Sequence, residues 1–182
     1  MQQNTALLVM DMQTVVLASL PSPQGVIENV AKAIAKAREN QVPVIYIVVG
    51  FRQGTPEIGP ANKTFWAHKE WFAQVGPQEF IQIHPAVAPG ENEITIIKRR
   101  ISAFAGSDLE VILRAMDIKR MVLTGVATSG VVLSTLREAA DKDYGLTVLA
   151  DCCADSDEEV HRVLSTKIFP RQADVLNVDE WE

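Results

Sequence analysis

The chain has 182 residues, of which 47% are hydrophobic and 22% charged, with a formal net charge of -6. That length and balance suit one globular domain rather than a disordered chain, and the acidity excludes a nucleic-acid-binding role, which needs a basic face against phosphate. The densest basic run, Lys98-Arg99-Arg100, is too short to make a groove.

The N-terminal stretch MQQNTALLVMDMQ has no positively charged lead before an apolar segment, so it does not read as a secretory leader. No apolar run approaches the ~20 residues of a membrane helix. Two adjacent cysteines, Cys152 and Cys153, are poorly placed to staple a fold, and a cytoplasmic location is expected.

In chain order, TALLVM at 5–10 reads as a buried strand ending on Asp11. Val26, Val30, Ala33, Ile34 and Ala37 recur at helical spacing, and VIYIVV at 44–49 is a second buried strand. Residues 51–90 carry loop chemistry (Gly54, Pro56, Gly59, Pro60, Asn62), with room for a short helix around Trp66, Trp71 and Phe72. Such a stretch is either a binding lid or a surface insertion with its own apolar cluster.

EITIIK at 93–98 is a third strand. Ser107-Asp108-Leu109-Glu110 reads as a capping box opening a helix through Met116. RMVLTGV at 120–126 is a fourth strand, followed by a helix over 129–142. LTVLAD at 146–151 is a fifth strand, Ser156-Asp157-Glu158-Glu159 a second capping box before a helix at 157–168, and ADVLNV at 173–178 a sixth strand. Apolar strands alternating with helices predict a mostly parallel six-stranded sheet covered on both faces, a three-layer αβα sandwich of Rossmann-like type. Neither repeats nor a linker interrupt it, so residues 1–182 are expected to form a single domain.

Ligands of open parallel sheets bind beyond the carboxyl ends of the strands. That rule selects Asp11 after strand one, Phe51 and Arg52 after strand two, Lys98 at the end of strand three and Thr128-Ser129-Gly130-Val131 after strand four. An acid, a base and a helix start thus come to one rim from separate parts of the chain.

The segments VMDMQ at 9–13, IIKRRISAFAGSDLEVILRA at 96–115 and LTGVATSGVVLSTLREAADKDYGLTVLADCCAD at 123–155 resemble the isochorismatase-like hydrolases. The resemblance spans nearly the whole chain and is weakest between 53 and 92. It implies a six-stranded parallel sheet, assembly as a homodimer or homotetramer, and a hydrolytic site. Amidases of that family use an aspartate, a lysine and a cysteine. Asp11 and Lys98 match the first two. The motif Gly-x-x-Thr-x-x-Cys-Val reads here Gly125-Val126-Ala127-Thr128-Ser129-Gly130-Val131-Val132, which puts Val131 at the cysteine position. A thiolate there would draw on the helix start, whereas valine has no lone pair and no proton to give.

The isochorismatases proper also work without that cysteine: an aspartate protonates an enol ether and water attacks. The resemblance therefore implies a non-covalent hydrolase of a small carboxylated metabolite, with Asp11 as acid or base and Lys98 as its electrostatic partner. Burial would raise the Asp11 pKa and Lys98 would lower it. The Gly130 amide could hold an anionic group, and a cis peptide at Val126–Ala127 is implied to orient the turn. Gln13 could reach the pocket. Arg52 is either a bidentate grip for a carboxylate or a solvated loop arginine. Phe51, Phe65, Trp66 and Phe104 are either apolar walls or core.

Ser129 reads as a cap rather than a replacement nucleophile. Cys152 and Cys153 read as buried and inert. His68, His84 and His161 lack ligand spacing, so no metal and no cofactor are expected. Two rival readings stand beside the hydrolase: a catalytically silent relative that binds a metabolite or serves as a subunit, and an amidase using a serine or cysteine from elsewhere.

Overall fold

In the computed structural model residues 4–182 are described. The first three, part of the stretch read as lacking a leader, lie outside them. The strands are β1 (Thr5–Met10), β2 (Val44–Val49), β3 (Ile94–Lys98), β4 (Arg120–Val126), β5 (Gly145–Ala154) and β6 (Asp174–Leu176). They form one sheet in the order β3-β2-β1-β4-β5-β6, with every pairing parallel. The helices are α1 (Thr14–Leu17), α2 (Gln24–Glu39), α3 (Lys63–Trp66), α4 (Lys69–Val75), α5 (Pro77–Phe80), α6 (Leu109–Ala115), α7 (Leu133–Asp141) and α8 (Glu158–Val163).

Alternation along each strand assigns its side chains to the two faces. Leu7 and Val9 of β1, with Tyr46 and Val122, meet Val26, Val30, Ala33, Ile34 and Ala37 of α2. Leu8 and Met10, with Ile45, Ile47, Met121 and Leu123, meet Leu109 and Leu113 of α6 and Leu136 of α7. All six residues of β1 are buried. A strand covered on both faces must be apolar throughout, which is why TALLVM does not alternate.

Several local expectations are corrected. Segment 51–90 holds three short α-helices, α3 to α5, and a 3-10 turn at Pro85–Val87, rather than one helix. Phe51, Phe65, Phe72 and Phe80 cluster there at centroid separations of 5.0 to 6.2 Å, closing over the end of β2. Neither capping box forms as read. Ser107 Oγ accepts from Leu109 N and donates to the Ala103 carbonyl, while Glu110 turns outward to Arg114 and Lys142. At the second, Asp157 rather than Ser156 caps α8, accepting from the Glu159 and Val160 amides. The helix expected over 129–142 is preceded by a turn at Thr128–Val132 kinked at the non-helical Gly130 before α7, and the one over 157–168 ends in a wide π turn at Leu164–Ile168. Strand β5 runs on through Cys152 and Cys153 instead of stopping at 151. Burial drives both thiol pKa values up, Cys153 to about 12, so the pair is inert.

The sheet order reverses between β1 and β4, and the crevice at that switch opens at their carboxyl ends. Gly125 makes the close approach possible. Its φ of +127° suits glycine, and a Cβ there would sit 1.9 Å from the Met10 carbonyl oxygen. Gly125→Ala is therefore expected to cost upwards of about 4 kcal/mol in denaturant unfolding, or to prevent folding altogether. Gly25→Ala, in open space on α2, is expected to raise stability by about 0.5 to 1 kcal/mol.

Candidate active site

Asp11 is the first residue beyond β1, with φ +53°, and its N–H donates to the Ile47 carbonyl at 2.8 Å. That left-handed step turns the side chain off the strand direction, and aspartate tolerates it better than most residues. Lys98 closes β3, paired in register with Val49. Two strand spacings of about 4.8 Å separate β3 from β1, so the lysine must lie across the end of β2 to meet Asp11. It does so: Lys98 Nζ is 2.9 Å from Asp11 Oδ2, and it also donates to the Arg100 carbonyl at 3.0 Å.

Both residues are buried, at 1% and 6% exposure. Burial raises the Asp11 pKa, and the attraction and hydrogen bond from Lys98 pull the other way without overcoming it. Asp11 Oδ1 is buried and has no hydrogen-bond partner. One carboxyl oxygen is thus fixed by an ammonium, and the other is a buried acceptor or, when protonated, a buried donor.

Gln13 is a brace rather than a substrate ligand. Its side-chain N–H groups donate to the Val49 and Phe80 carbonyls at 3.0 and 2.5 Å, and its carbonyl accepts from Val49 N at 2.8 Å. Fully buried and bonded at both ends, the amide fastens the segment after β1 to β2 and α5.

The turn after β4 begins at a cis Val126–Ala127 peptide, as the resemblance implied. Val131 is buried in the core on the α6 and α7 face. Gly130 N donates to the Ala127 carbonyl at 3.1 Å, and Ser129 N to Asp155 Oδ2 at 2.7 Å. Those two amides are therefore committed, which corrects the expectation that Gly130 offers a free donor to an anion.

Arg52 is mostly exposed and bound to Glu57, its Nη1 2.6 Å from the carboxylate. Phe104 is core rather than wall: its ring stacks on Tyr144, 6.2 Å away, with the Lys142 ammonium 5.4 Å from its centroid. Phe51 belongs to the aromatic cluster, and Trp66 is exposed, with Lys69 Nζ 4.8 Å from its ring. Among the described residues no three His, Cys, Asp or Glu side chains gather as a metal site would need.

Sequence reasoning missed His161. Its Nδ1 lies 2.8 Å from Thr128 Oγ1, tying α8 to the turn from 33 residues away. Asp155 makes a second tie to the same turn. No local pattern announces a contact that depends on where α8 docks. Burial lowers the His161 pKa, against the pull of Asp155 and Glu158. A histidine with a depressed folded pKa binds fewer protons when folded, so the stability it contributes is present above pH ~6.5 and lost as pH falls through the folded pKa. Unfolding free energy of the wild type is therefore expected to fall on acidification below pH ~6.5, and His161→Gln to flatten that slope. Equal slopes in the two proteins would refute the assignment.

Residues 5–180 match the isochorismatase domain family. An isochorismatase family protein of Escherichia coli O157:H7, YecD, is 33% identical over 98% of this chain and 94% of its own. The ureidoacrylate amidohydrolase RutB of Pseudomonas syringae pv. syringae (strain B728a) is 30% identical over 97% of this chain and 78% of its own. Among solved structures, an isochorismatase family protein from Burkholderia thailandensis superposes with a TM-score of 0.83 at 25% identity, covering 98% of this chain and 94% of that one. The sheet order, the paired aspartate and lysine and these matches agree: the chain belongs to the isochorismatase family.

Proposed function

We propose that this protein is a non-covalent hydrolase of a small carboxylated metabolite, with Asp11 as the proton-transfer group and Lys98 as its partner. The observation that carries the reading is the buried 2.9 Å contact between them, with the second Asp11 oxygen unpartnered. Val131, at the position read as the family cysteine, is aliphatic and cannot attack a carbonyl. RutB, matched over 78% of its length, is an amidohydrolase, which supports hydrolysis as the reaction class.

In the acid step the Asp11 carboxyl gives its proton to the substrate atom beside the scissile bond. The resulting carboxylate is stabilised by the Lys98 ammonium. Water adds its oxygen to the other fragment, and the proton it sheds restores Asp11. Burial favours this direction, because a carboxyl with a raised pKa is a proton donor at higher pH than an ordinary aspartic acid. The acidic surface and the family resemblance support a cytoplasmic protein acting as a homodimer or homotetramer, without a bound metal or cofactor. Among the described residues no helix is long and apolar enough to cross a membrane.

Asp11→Asn is expected to lower kcat/KM at least a thousandfold on whichever member of a panel of isochorismate, nicotinamide and carbamoyl compounds is turned over. An unchanged rate ends the mechanism, and a wild type inert on every compound favours the silent relative instead. Either single change strands one buried charged partner, at a cost of about 3 to 5 kcal/mol. The double variant Asp11→Asn/Lys98→Met is therefore expected to be more stable than Lys98→Met alone, yet as inactive as Asp11→Asn, by denaturant titration and rate assay.

The pH dependence follows from the direction of the Asp11 shift. With Asp11 as acid, kcat/KM is expected to decline above a pKa that lies higher than the ordinary 3.8. Lys98→Met removes the cation that opposes burial, so the declining limb moves to higher pH. A limb that stays in place would show that another group titrates.

A further inference from the structure

Positive charge gathers around the loop after β2 without matching acid. Arg52 Nη1 is 2.6 Å from Glu57 Oε1, and Arg99 Nε is 3.8 Å from the same oxygen. Arg100 Nη2 donates to the Glu57 main-chain carbonyl at 3.1 Å, and Lys69 Nζ to the Ile58 carbonyl at 3.2 Å. Among the described residues, Glu57 is the one carboxylate in ion-pair contact with any of these four cations. Bonds to carbonyls satisfy N–H groups but neutralise nothing. Four cations face one anion, on a chain whose net charge is -6.

Arg99 and Arg100 are half-buried and held in place by backbone carbonyls. Arg99 donates to the Gly50 carbonyl at 2.6 Å, and a Cβ on Gly106 would come within 2.8 Å of Arg99 Cβ. Arg100 Nη1 donates to the Arg99 carbonyl at 2.6 Å. Burial works against the Glu57 carboxylate, yet its hydrogen bonds, chiefly with backbone N–H groups and the Arg52 guanidinium, keep its pKa below the usual range. The group also adjoins the chemistry, since the Arg100 carbonyl is the oxygen that receives Lys98 Nζ.

We infer that this ring of Arg52, Lys69, Arg99 and Arg100 recognises a small dicarboxylate, and that Glu57 is an internal stand-in for one of its carboxylates. The inference rests on the hydrolase reading above and specifies how the substrate is held. A bound carboxylate takes the Arg52 fork, the most exposed of the set, and Glu57 gives way. A monoanion would merely exchange one negative charge for another. A dianion replaces one charge with two and brings the ring closer to neutrality.

The test is calorimetric titration of the full chain with fumarate, its monoanionic analogue crotonate and its neutral diamide fumaramide. Fumarate is expected to bind with one site per chain, at least tenfold more tightly than crotonate, with no detectable fumaramide binding and at least threefold weakening between 20 and 300 mM NaCl. Arg52→Ala is expected to weaken fumarate at least tenfold, and Glu57→Gln to tighten it at least threefold. Equal affinity for fumarate and fumaramide overturns the inference, as does a folded Glu57→Gln protein that binds fumarate no better than wild type. Should that variant not fold, the three-ligand comparison on the wild type decides alone. Binding requires no turnover, so an Asp11→Asn protein with unchanged rate refutes the hydrolase reading, whereas absent charge discrimination refutes this one.

Discussion

The site depends on one contact, the ion pair that Lys98 makes with Asp11 beneath the carboxyl ends of three strands. Neither charge is tolerable there by itself, since an isolated buried ion costs several kcal/mol. Their mutual attraction makes burial tolerable. Because desolvation outweighs the lysine at Asp11, the carboxyl holds its proton more tightly than a surface aspartate. The rest of the rim can be understood as the means of keeping two groups from opposite sides of β2 in register.

Three devices do this. Gly125 lets β4 press against the Met10 carbonyl, so the turn carrying Val131 starts beside Asp11. The Gln13 amide bonds β2 and α5 to the segment after β1. Thr128 and Ser129 anchor the β4 turn to His161 and Asp155. The last two satisfy polar groups within the protein, whereas the second Asp11 oxygen is left without a partner.

Much of this was legible in the sequence, and the limits have physical reasons. β1, β2 and β4 match their residues because an apolar β-branched run of six or seven has few other fates. Asp11 and Lys98 stand out in the sequence because both sit at strand ends, where the fold rule places ligands, and the structure brings them together. Gln13, Phe104 and Gly130 lie where a substrate could reach them by the sequence alone, but their hydrogen bonds and packing run to the protein itself. Which way a side chain turns at a strand end depends on partners from distant segments, and sequence spacing carries no record of them. Segment 51–90 failed for another reason. Its helices are four to seven residues long, too short to show a period, and they are held by aromatic contacts rather than by propensity.

β3 is one of the sheet's two edge strands, bonded along one side to β2, with Ile97 partly open to solvent. It nevertheless carries the ammonium on which Asp11 depends. Margins of sheets open more readily than their middles, so fraying of this border would withdraw the lysine while the central strands stayed intact. Local opening of this border would separate the two buried charges without unfolding the sheet, so the Asp11–Lys98 pair is tied to the stability of an edge rather than to that of the core.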